Sequence, residues 1–483
     1  SQYSQSIKSQ PMIMMHRATI IALICCLVAG GGARAQPFDY PAARLATTWA
    51  NTDAALPHHV VYTDGSVARA ALLRLNPAGL GPSYAFGFFC TASRPRGDGP
   101  AAPCTEFLLG VAVVYCNSGA GMTFVTAGVP QVVWSANRGS PVCEGATAEL
   151  TPEGDLVLRS GPGGAVLWST GTKGRSVAGA RIGSDGNLVL YDGRNATVWQ
   201  SFDHPTNALL VGQSLKHGAR LIANVSAADW RDGRLYLAVG DDGLSAYVNA
   251  APPQRYYQLG LSETAHGAYA TYTNGSLTVS ARPGAPPLAA IELPTVGAGT
   301  VQYMRLEHDG HLRIYEWRSG WAPVYDVLRL FPDGGCAFPT ACGAYGVCTD
   351  DTQCSCPDAA NFRPVDFRRP NRGCVPTAPP PTSCRPSRRP QTQHRLVSLP
   401  RTAYFNDHTT SMRAVDRVSE EACKKACLDD CACAAAQFYY GPDSGDGSCY
   451  LQSEVFSMQT VQPDVVHYNS TMHIKVQAKP ARN

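Results

Sequence analysis

From Gln36 to about Leu330 the apolar residues come in short alternating runs broken by Gly, Asp, Asn and Pro. A period of two predicts half-buried strands joined by tight turns, because side chains two apart share one face of a strand. In Arg181–Phe202, RIGSDGNLVLYDGRNATVWQSF, Ile182, Leu188 and Leu190 fall on one face. Gly183, Asp185, Asn187, Val189 and Tyr191 fall on the other. The first set reads as core and the second as a surface able to hold something polar.

The pattern also repeats. Gly154-Asp155-Leu156-Val157-Leu158 recurs as Gly186-Asn187-Leu188-Val189-Leu190, each copy leads to an apolar residue and Trp (Leu167-Trp168, Val198-Trp199), and Val133-Trp134 precedes both. Units of roughly 30 residues that cannot bury their own apolar faces predict three small sheets packed about a shared aromatic core. Fainter copies appear in Leu306–Trp317 (LEHDGHLRIYEW) and Gly240–Tyr247 (GDDGLSAY). Residues 212–330 are therefore expected to form a second, divergent copy of the domain at 36–211.

Length and charge set the frame for these units. A chain of 483 residues implies several domains. With 16% charged residues and a net charge of +3, it lacks the basic footprint of a nucleic-acid binder. Nothing in it matches a GxSxG elbow, a phosphate loop, an HExxH helix or a kinase HRD or DFG motif, so no enzyme activity, cofactor or metal is expected of this chain. His16 and Arg17, the apolar run Ala18–Gly30 and Ala33-Arg34-Ala35 read as a secretory signal within a leader at 1–35. Its apolar run is shorter than the ~20 residues that span a bilayer.

An exported chain sits in an oxidising compartment, so its cysteines read as disulfides before metal ligands. Cys90, Cys104, Cys116 and Cys143 are close enough in sequence to pair locally within the first domain. Cys336, Cys342, Cys348, Cys354, Cys356 and Cys374 crowd into a segment at 331–375 too short for its own apolar core. Residues 376–392 are a Pro-rich linker whose Cys384 groups with Cys423, Cys427, Cys431, Cys433 and Cys449 of a last module at 393–478, followed by a tail at 479–483. In that module Ser419-Glu-Glu-Ala-Cys-Lys-Lys-Ala-Cys427 predicts a capped helix with both cysteines on one face. Asn195, Asn224, Asn274 and Asn469 begin N-x-Ser/Thr acceptor sequences for N-glycans.

Val132-Val133-Trp134-Ser135-Ala136-Asn137-Arg138 and Trp199-Gln200-Ser201-Phe202-Asp203-His204-Pro205-Thr206-Asn207 resemble hallmark stretches of plant S-domain proteins, the extracellular parts of bulb-type lectin receptor-like kinases and S-locus glycoproteins. The cysteines from Cys336 resemble that family's EGF-like module, and CxxxCxxxCxC from Cys423 resembles its PAN/apple module. The resemblance implies a mostly β, multidomain chain of tandem β-prism lectin domains, an EGF-like disulfide module and a PAN/apple α+β module. It also implies a secreted or cell-surface protein, on the plasma membrane in any form carrying a membrane span and kinase, that binds a mannose-type glycan or a protein or peptide ligand. Homo- or hetero-oligomers through the lectin or PAN surfaces are a further implication.

Bulb-lectin sugar strands have the spacing QxDxNxVxY. Here Gly183 stands in place of Gln, while Asp185, Asn187, Val189 and Tyr191 match, implying a weakened sugar site. The preceding repeat places Glu153, Asp155 and Val157 at equivalent positions, and the distant copy keeps Asp309 and Tyr315; both are expected to be degenerate.

Overall fold

The computed structural model describes residues 38–56, 58–91, 104–123, 130–259, 268–330, 334–350, 353–378, 394–405, 413–440 and 446–478. The leader, Cys384, most of the Pro-rich linker and the tail lie outside the described residues.

The first unit is three antiparallel sheets. Sheet I orders β1 (Ala42–Arg44), β12 (Val177–Ile182), β13 (Leu188–Asp192) and β14 (Thr197–Gln200). Sheet II orders β11 (Val166–Ser169), β10 (Leu156–Arg159), β9 (Thr147–Leu150) and β2 (Thr47–Ala50). Sheet III runs β3 (His58–Val61), β4 (Val67–Arg74), β5 (Leu80–Cys90), β6 (Leu108–Asn117) and β7 (Gly121–Met122), with β8 (Gln131–Ser135) also on β6.

Each sheet sends one tryptophan to the common axis: Trp199 from β14, Trp168 from β11 and Trp134 from β8. Their rings meet edge to face at 5.7, 5.8 and 6.1 Å. That geometry adds about 0.5–1.5 kcal/mol per pair beyond burial. The Trp134 indole N–H donates to the His204 carbonyl at 2.8 Å, so its polar edge is satisfied inside the core.

The second unit repeats the plan from Ala208, slightly before the expected boundary. Sheet IV orders β15 (Ala208–Leu210), β24 (Gln302–Leu306), β25 (Leu312–Trp317) and β26 (Trp321–Asp326). Sheet V orders β16 (Ser214–Lys216), β21 (Tyr269–Thr273), β22 (Ser276–Ser280) and β23 (Ala289–Glu292). Sheet VI orders β17 (Arg220–Asn224), β18 (Asp232–Gly240), β19 (Gly243–Val248) and β20 (Gln254–Leu259). Its interior is mostly aliphatic with buried Tyr256 and Tyr272, and it holds a polar chain in which Tyr272 donates to Gln302 at 3.2 Å and Gln302 to Glu316 at 2.6 Å. Trp317, the counterpart expected to close this copy's core, lies on the opposite face of β25 from Ile314 and packs on Tyr115 of the first unit at 4.8 Å.

Arg138 holds the two units together. It is nearly buried, and its guanidinium donates at 2.8 Å to the carbonyls of Trp230 and Ile222 and to Asn224 Oδ1, with Asp232 at 3.0 Å. From the other side, Arg305 donates to the Val132 carbonyl at 2.7 Å and Tyr303 to Gln131 at 2.6 Å.

The remaining chain is continuous with the second unit's core. In the cysteine-rich segment Cys336 pairs with Cys348, Cys342 with Cys354 and Cys356 with Cys374. Its β27 (Val347–Thr349) and β28 (Gln353–Ser355) join β36 (Met458–Thr460) and β32 (Thr402–Tyr404) in one sheet, while β29 (Phe362–Pro364) pairs β30 (Cys374–Pro376). Segments that read as separate in sequence thus share a sheet. The last unit orders β31 (His394–Pro400), β37 (Asn469–Gln477), β34 (Ala435–Tyr440), β35 (Gly447–Gln452) and β33 (Arg413–Val418). Helix α1 (Glu420–Asp429) lies against it, capped by Ser419, whose hydroxyl accepts from the Ala422 N–H. Cys423 and Cys427 face inward and bond Cys449 and Cys433, and Cys431 is also disulfide-bonded.

One expectation is corrected. Cys90 bonds Cys104, but Cys116 and Cys143 are thiols. Cys116 pairs in register with Gly81 at one end of sheet III, whereas Leu108, near Cys104, pairs with Phe89 at the other. Cys143 follows the Phe107–Val142 bridge at that far end. At ~3.3 Å per residue the two thiols are roughly 30 Å apart, far beyond the ~7 Å Cα limit for a disulfide.

These features generate three expectations. Arg138→Ala removes the guanidinium's bonds to two carbonyls and to Asn224 Oδ1 and should cost about 2–4 kcal/mol, read as a fall of several degrees in Tm; an unchanged Tm contradicts the clamp. Maleimide applied to the native protein should modify exposed Cys143 and spare buried Cys116, with peptide mapping as the readout. Finally, His473 is fully buried, with Nδ1 2.8 Å from Ser398 Oγ. Nε2 lies 3.3 Å from a Glu420 oxygen. Burial lowers its pKa to about 4, outweighing the opposing Glu420 charge. Between pH 6.5 and 4 the unfolded chain therefore takes up a proton that the fold refuses, and stability falls as pH drops through that window, by on the order of 3 kcal/mol. Tm measured against pH should fall less steeply there in His473→Gln, and parallel curves would contradict this.

Candidate functional site

Sheet I turns Ala43, Ala180, Ile182, Leu188, Leu190 and Trp199 into the core, which leaves the alternate residues outward. Register sets the outward residues in rows. Arg44, Gly179 and Tyr191 lie side by side across β1, β12 and β13, and Ala42, Arg181 and Val189 form the next row. Gly183–Asn187 is the turn between β12 and β13, closed by the Gly183 N–H donating to the Asn187 carbonyl at 2.8 Å. Gly186 has a φ of +83°, and a Cβ there would lie 2.6 Å from Leu210 and Tyr84 carbons, so both conformation and space demand glycine.

Asp185, Asn187, Val189 and Tyr191 are therefore together on one strand-and-turn, as their spacing predicts. Their polar groups are partly engaged. Asp185 is exposed, and its Oδ1 accepts the Asn187 backbone N–H at 3.0 Å. Buried Asn187 donates to Gln200 Oε1 at 2.9 Å and accepts from the Ser201 hydroxyl and the Phe202 N–H, both at 3.3 Å. It ties the hairpin to the chain following β14. Val189 is buried under this surface.

Tyr191 lies across β12. A Cβ on Gly179 would sit 2.6 Å from the phenol oxygen, so that glycine makes room for the ring. The Arg181 guanidinium stacks over the same ring at 4.7 Å and donates to Asn195 Oδ1. At Gly183, a Cβ would meet Asp185 Oδ1 at 2.2 Å. The carboxylate thus occupies space that a residue 183 side chain would need.

The other two candidate strands are closed. Asp155 is buried and accepts from the Thr170 hydroxyl at 2.7 Å and the Thr172 N–H at 3.1 Å, Val157 is buried, and Glu153 is exposed alone. Asp155 and Asn187 occupy the same place in consecutive repeats and do the same work, fastening a hairpin to the strand beyond it. In sheet IV, Asp309 is held by Arg313 at 2.9 Å, and Tyr315 donates to Glu307 at 2.7 Å and stacks on Tyr303 at 5.2 Å. Burial pushes the Asp309 pKa up, but Arg313 and His311 prevail and leave it lowered. Phe338 stacks on His311 at 3.5 Å and Thr340 donates to the Asp309 carbonyl, so the cysteine-rich segment covers that turn.

Of the asparagines that begin N-x-Ser/Thr sequences, Asn195 and Asn274 sit exposed in hairpin turns. Asn224 is half-buried, its Oδ1 already accepting from Arg138 and Asn207. Asn469, at the start of β37, is half-buried as well. Sequence reading passed over Arg181 and Arg44; the outward phase shared with Gly179 and Tyr191 was the available signal. Among the described residues no cluster of His, Cys, Asp and Glu could hold a metal, and no helix is long and apolar enough to cross a membrane.

A family profile described as D-mannose binding lectin matches residues 131–231, from β8 through sheets I and II to the first strands of the second unit. A G-type lectin S-receptor-like serine/threonine-protein kinase of Arabidopsis thaliana is 29% identical over 73% of this chain and 40% of its own length. Another, of Oryza sativa subsp. indica, is 26% identical over 72% of this chain and 46% of its own. The chain thus spans less than half the length of these kinase relatives. The epidermis-specific secreted glycoprotein EP1 of Daucus carota is 32% identical over 47% of this chain and 68% of its own length. With two thirds of that glycoprotein matched and the lectin profile lying on the strands that carry the Trp core, this chain belongs to the plant S-domain family of bulb-type (G-type) lectin proteins.

Proposed function

We propose that the chain is an extracellular recognition protein that holds a glycan on the outer face of sheet I, at Asp185, Asn187, Val189 and Tyr191. The observation that carries this reading is the survival of one open face. Of the three strands with the sugar-strand spacing, only β13 leaves its outward carboxylate and tyrosine uncovered by another part of the protein. The D-mannose binding lectin profile spans that strand and supports the reading. Asp185 offers sugar hydroxyls a carboxylate oxygen, Tyr191 offers a phenol, and the strand beneath is rigid because Asn187 is pinned to Gln200 and Ser201.

Affinity for a neutral mannoside is low on this account. The glutamine position is Gly183, and both ends of the Asn187 amide are engaged inside the protein. Each missing hydrogen bond removes a net ~0.5–1.5 kcal/mol, or roughly two- to twelvefold in affinity. The kinase and secreted-glycoprotein relatives support placing this recognition at the cell exterior. In the kinases the corresponding segment is the part we assign to ligand recognition, and the cysteine-rich segment and the α+β unit are read as the EGF-like and PAN/apple modules that follow it.

On a glycan array the secreted chain should bind a restricted set of sugars, and Asp185→Ala and Tyr191→Ala should each reduce that binding by roughly tenfold. Unchanged binding in both variants removes this face from the account. Gly183→Gln should displace the Asp185 carboxylate outward and raise affinity for a mannoside by roughly two- to twelvefold in calorimetry. A lower affinity than the parent would contradict the assigned position.

A further inference from the structure

The outer face of sheet I is basic. Arg44 and Arg181 point outward from β1 and β12, and Arg194 lies exposed in the turn after β13. None of the three is in an ion pair among the described residues. The carboxylates nearby are Asp185, in the turn three residues beyond the end of β12, and Asp192, whose Oδ1 already accepts the Arg194 and Ala196 N–H groups. Arg181 is also ordered: its guanidinium is stacked on Tyr191 and tethered to Asn195 by one nitrogen. Stacking fixes the plane of the fork and leaves other N–H groups directed away from the tether, the geometry in which arginine grips a planar carboxylate with two parallel hydrogen bonds.

We infer that this face reads a carboxylated sugar, a uronic acid within an oligosaccharide, with Arg181 as the residue that sets specificity. Resting on the assignment of sheet I as the glycan surface, this inference supplies the ligand class. The groups that would recognise a neutral hexose are spent or missing: Gly183 has no side chain, and Asn187 is bonded at both ends. What remains outward is a guanidinium over a phenol, with a second guanidinium in the adjoining row, where Gly179 leaves the gap that Tyr191 crosses. A carboxylate on Arg181, whose guanidinium lies over the ring that crosses Gly179, leaves the rest of the oligosaccharide to run along β12 toward the Asp185 carboxylate at the Gly183 position, roughly 13 Å away at four residues of strand rise, where it accepts hydroxyl protons. Asn195 is both the tether of Arg181 and a glycan acceptor, and an N-glycan uses its nitrogen, leaving Oδ1 to accept from Arg181.

The test uses the full secreted chain carrying Thr197→Ala, which removes the Asn195 acceptor sequence and keeps the Asn195 side chain. Trigalacturonate and mannotriose are titrated by calorimetry at low and physiological salt. Trigalacturonate should bind more tightly than mannotriose and weaken as salt rises. Arg181→Gln should cost roughly tenfold or more, and Arg181→Lys less, because it keeps the charge without the fork. Arg44→Gln, on an exposed edge strand, should weaken the same sugar and serves as the second variant should Arg181→Gln melt early. If mannotriose binds, Asp185→Ala weakens it by roughly tenfold, and trigalacturonate does not bind, the glycan surface stands and the acidic reading falls. Trigalacturonate binding unaffected by Arg181→Gln and Arg44→Gln also overturns the inference. Binding of neither sugar overturns both readings.

Discussion

Sheets I, II and III each have an apolar face to bury against the others, and the meeting of Trp134, Trp168 and Trp199 is where that constraint is met. Sheets I and II, with strands of three to six residues, are too small to bury their own apolar faces alone. Once each contributes a tryptophan to a common axis, with rings 5.7–6.1 Å apart, the inward residues are fixed and the outward ones of sheets I and II are released from packing, whereas the outer face of sheet III is covered by Phe38, Tyr40 and Trp230. The outer faces can then diverge without loss of the fold. Here they have diverged in different directions: one keeps a sugar-strand spacing, one turns its acidic residue into a brace, and one is covered by neighbouring elements.

The joints between units show the same economy of surface. Sheet IV spends its outward tyrosines and Arg305 against the first unit, and Arg138 reaches back to grip the start of sheet VI. Arg234 and Glu454 tie sheet VI to the last unit through two contacts at 2.6 Å. The consequence for function is that outward residues of the second unit are largely structural, while those of sheet I keep their exposure.

Much of this was legible in the sequence. Strict alternation fixed which of Ile182, Leu188 and Leu190 face inward, and the recurrence of Trp at the end of each repeat located the axis. The Ser419 cap and the shared face of Cys423 and Cys427 followed from local rules. What sequence could not supply was long-range register. Cys116 and Cys143 look like partners when only separation counts, but β5 and β6 carry them to opposite ends of a sheet. Trp317 repeats the motif, yet it sits in the outward phase of β25, where Glu316 holds the inward place. The hydrogen-bond state of Asn187 depends on Gln200, Ser201 and Phe202 across the sheet, and the stacking of Arg181 on Tyr191 depends on Gly179, which pairs with Arg44 on one side and Tyr191 on the other. Neither is visible until the strands are paired.

Position is therefore decisive: a glycan should touch the outer face of β1, β12 and β13 and nothing in the second unit. Hydrogen–deuterium exchange of the secreted chain with and without saturating trigalacturonate tests this most directly. Added protection should be confined to residues 42–44 and 177–192, with sheets IV, V and VI unchanged. Protection centred on sheet VI or the C-terminal unit, with none in sheet I, would contradict it.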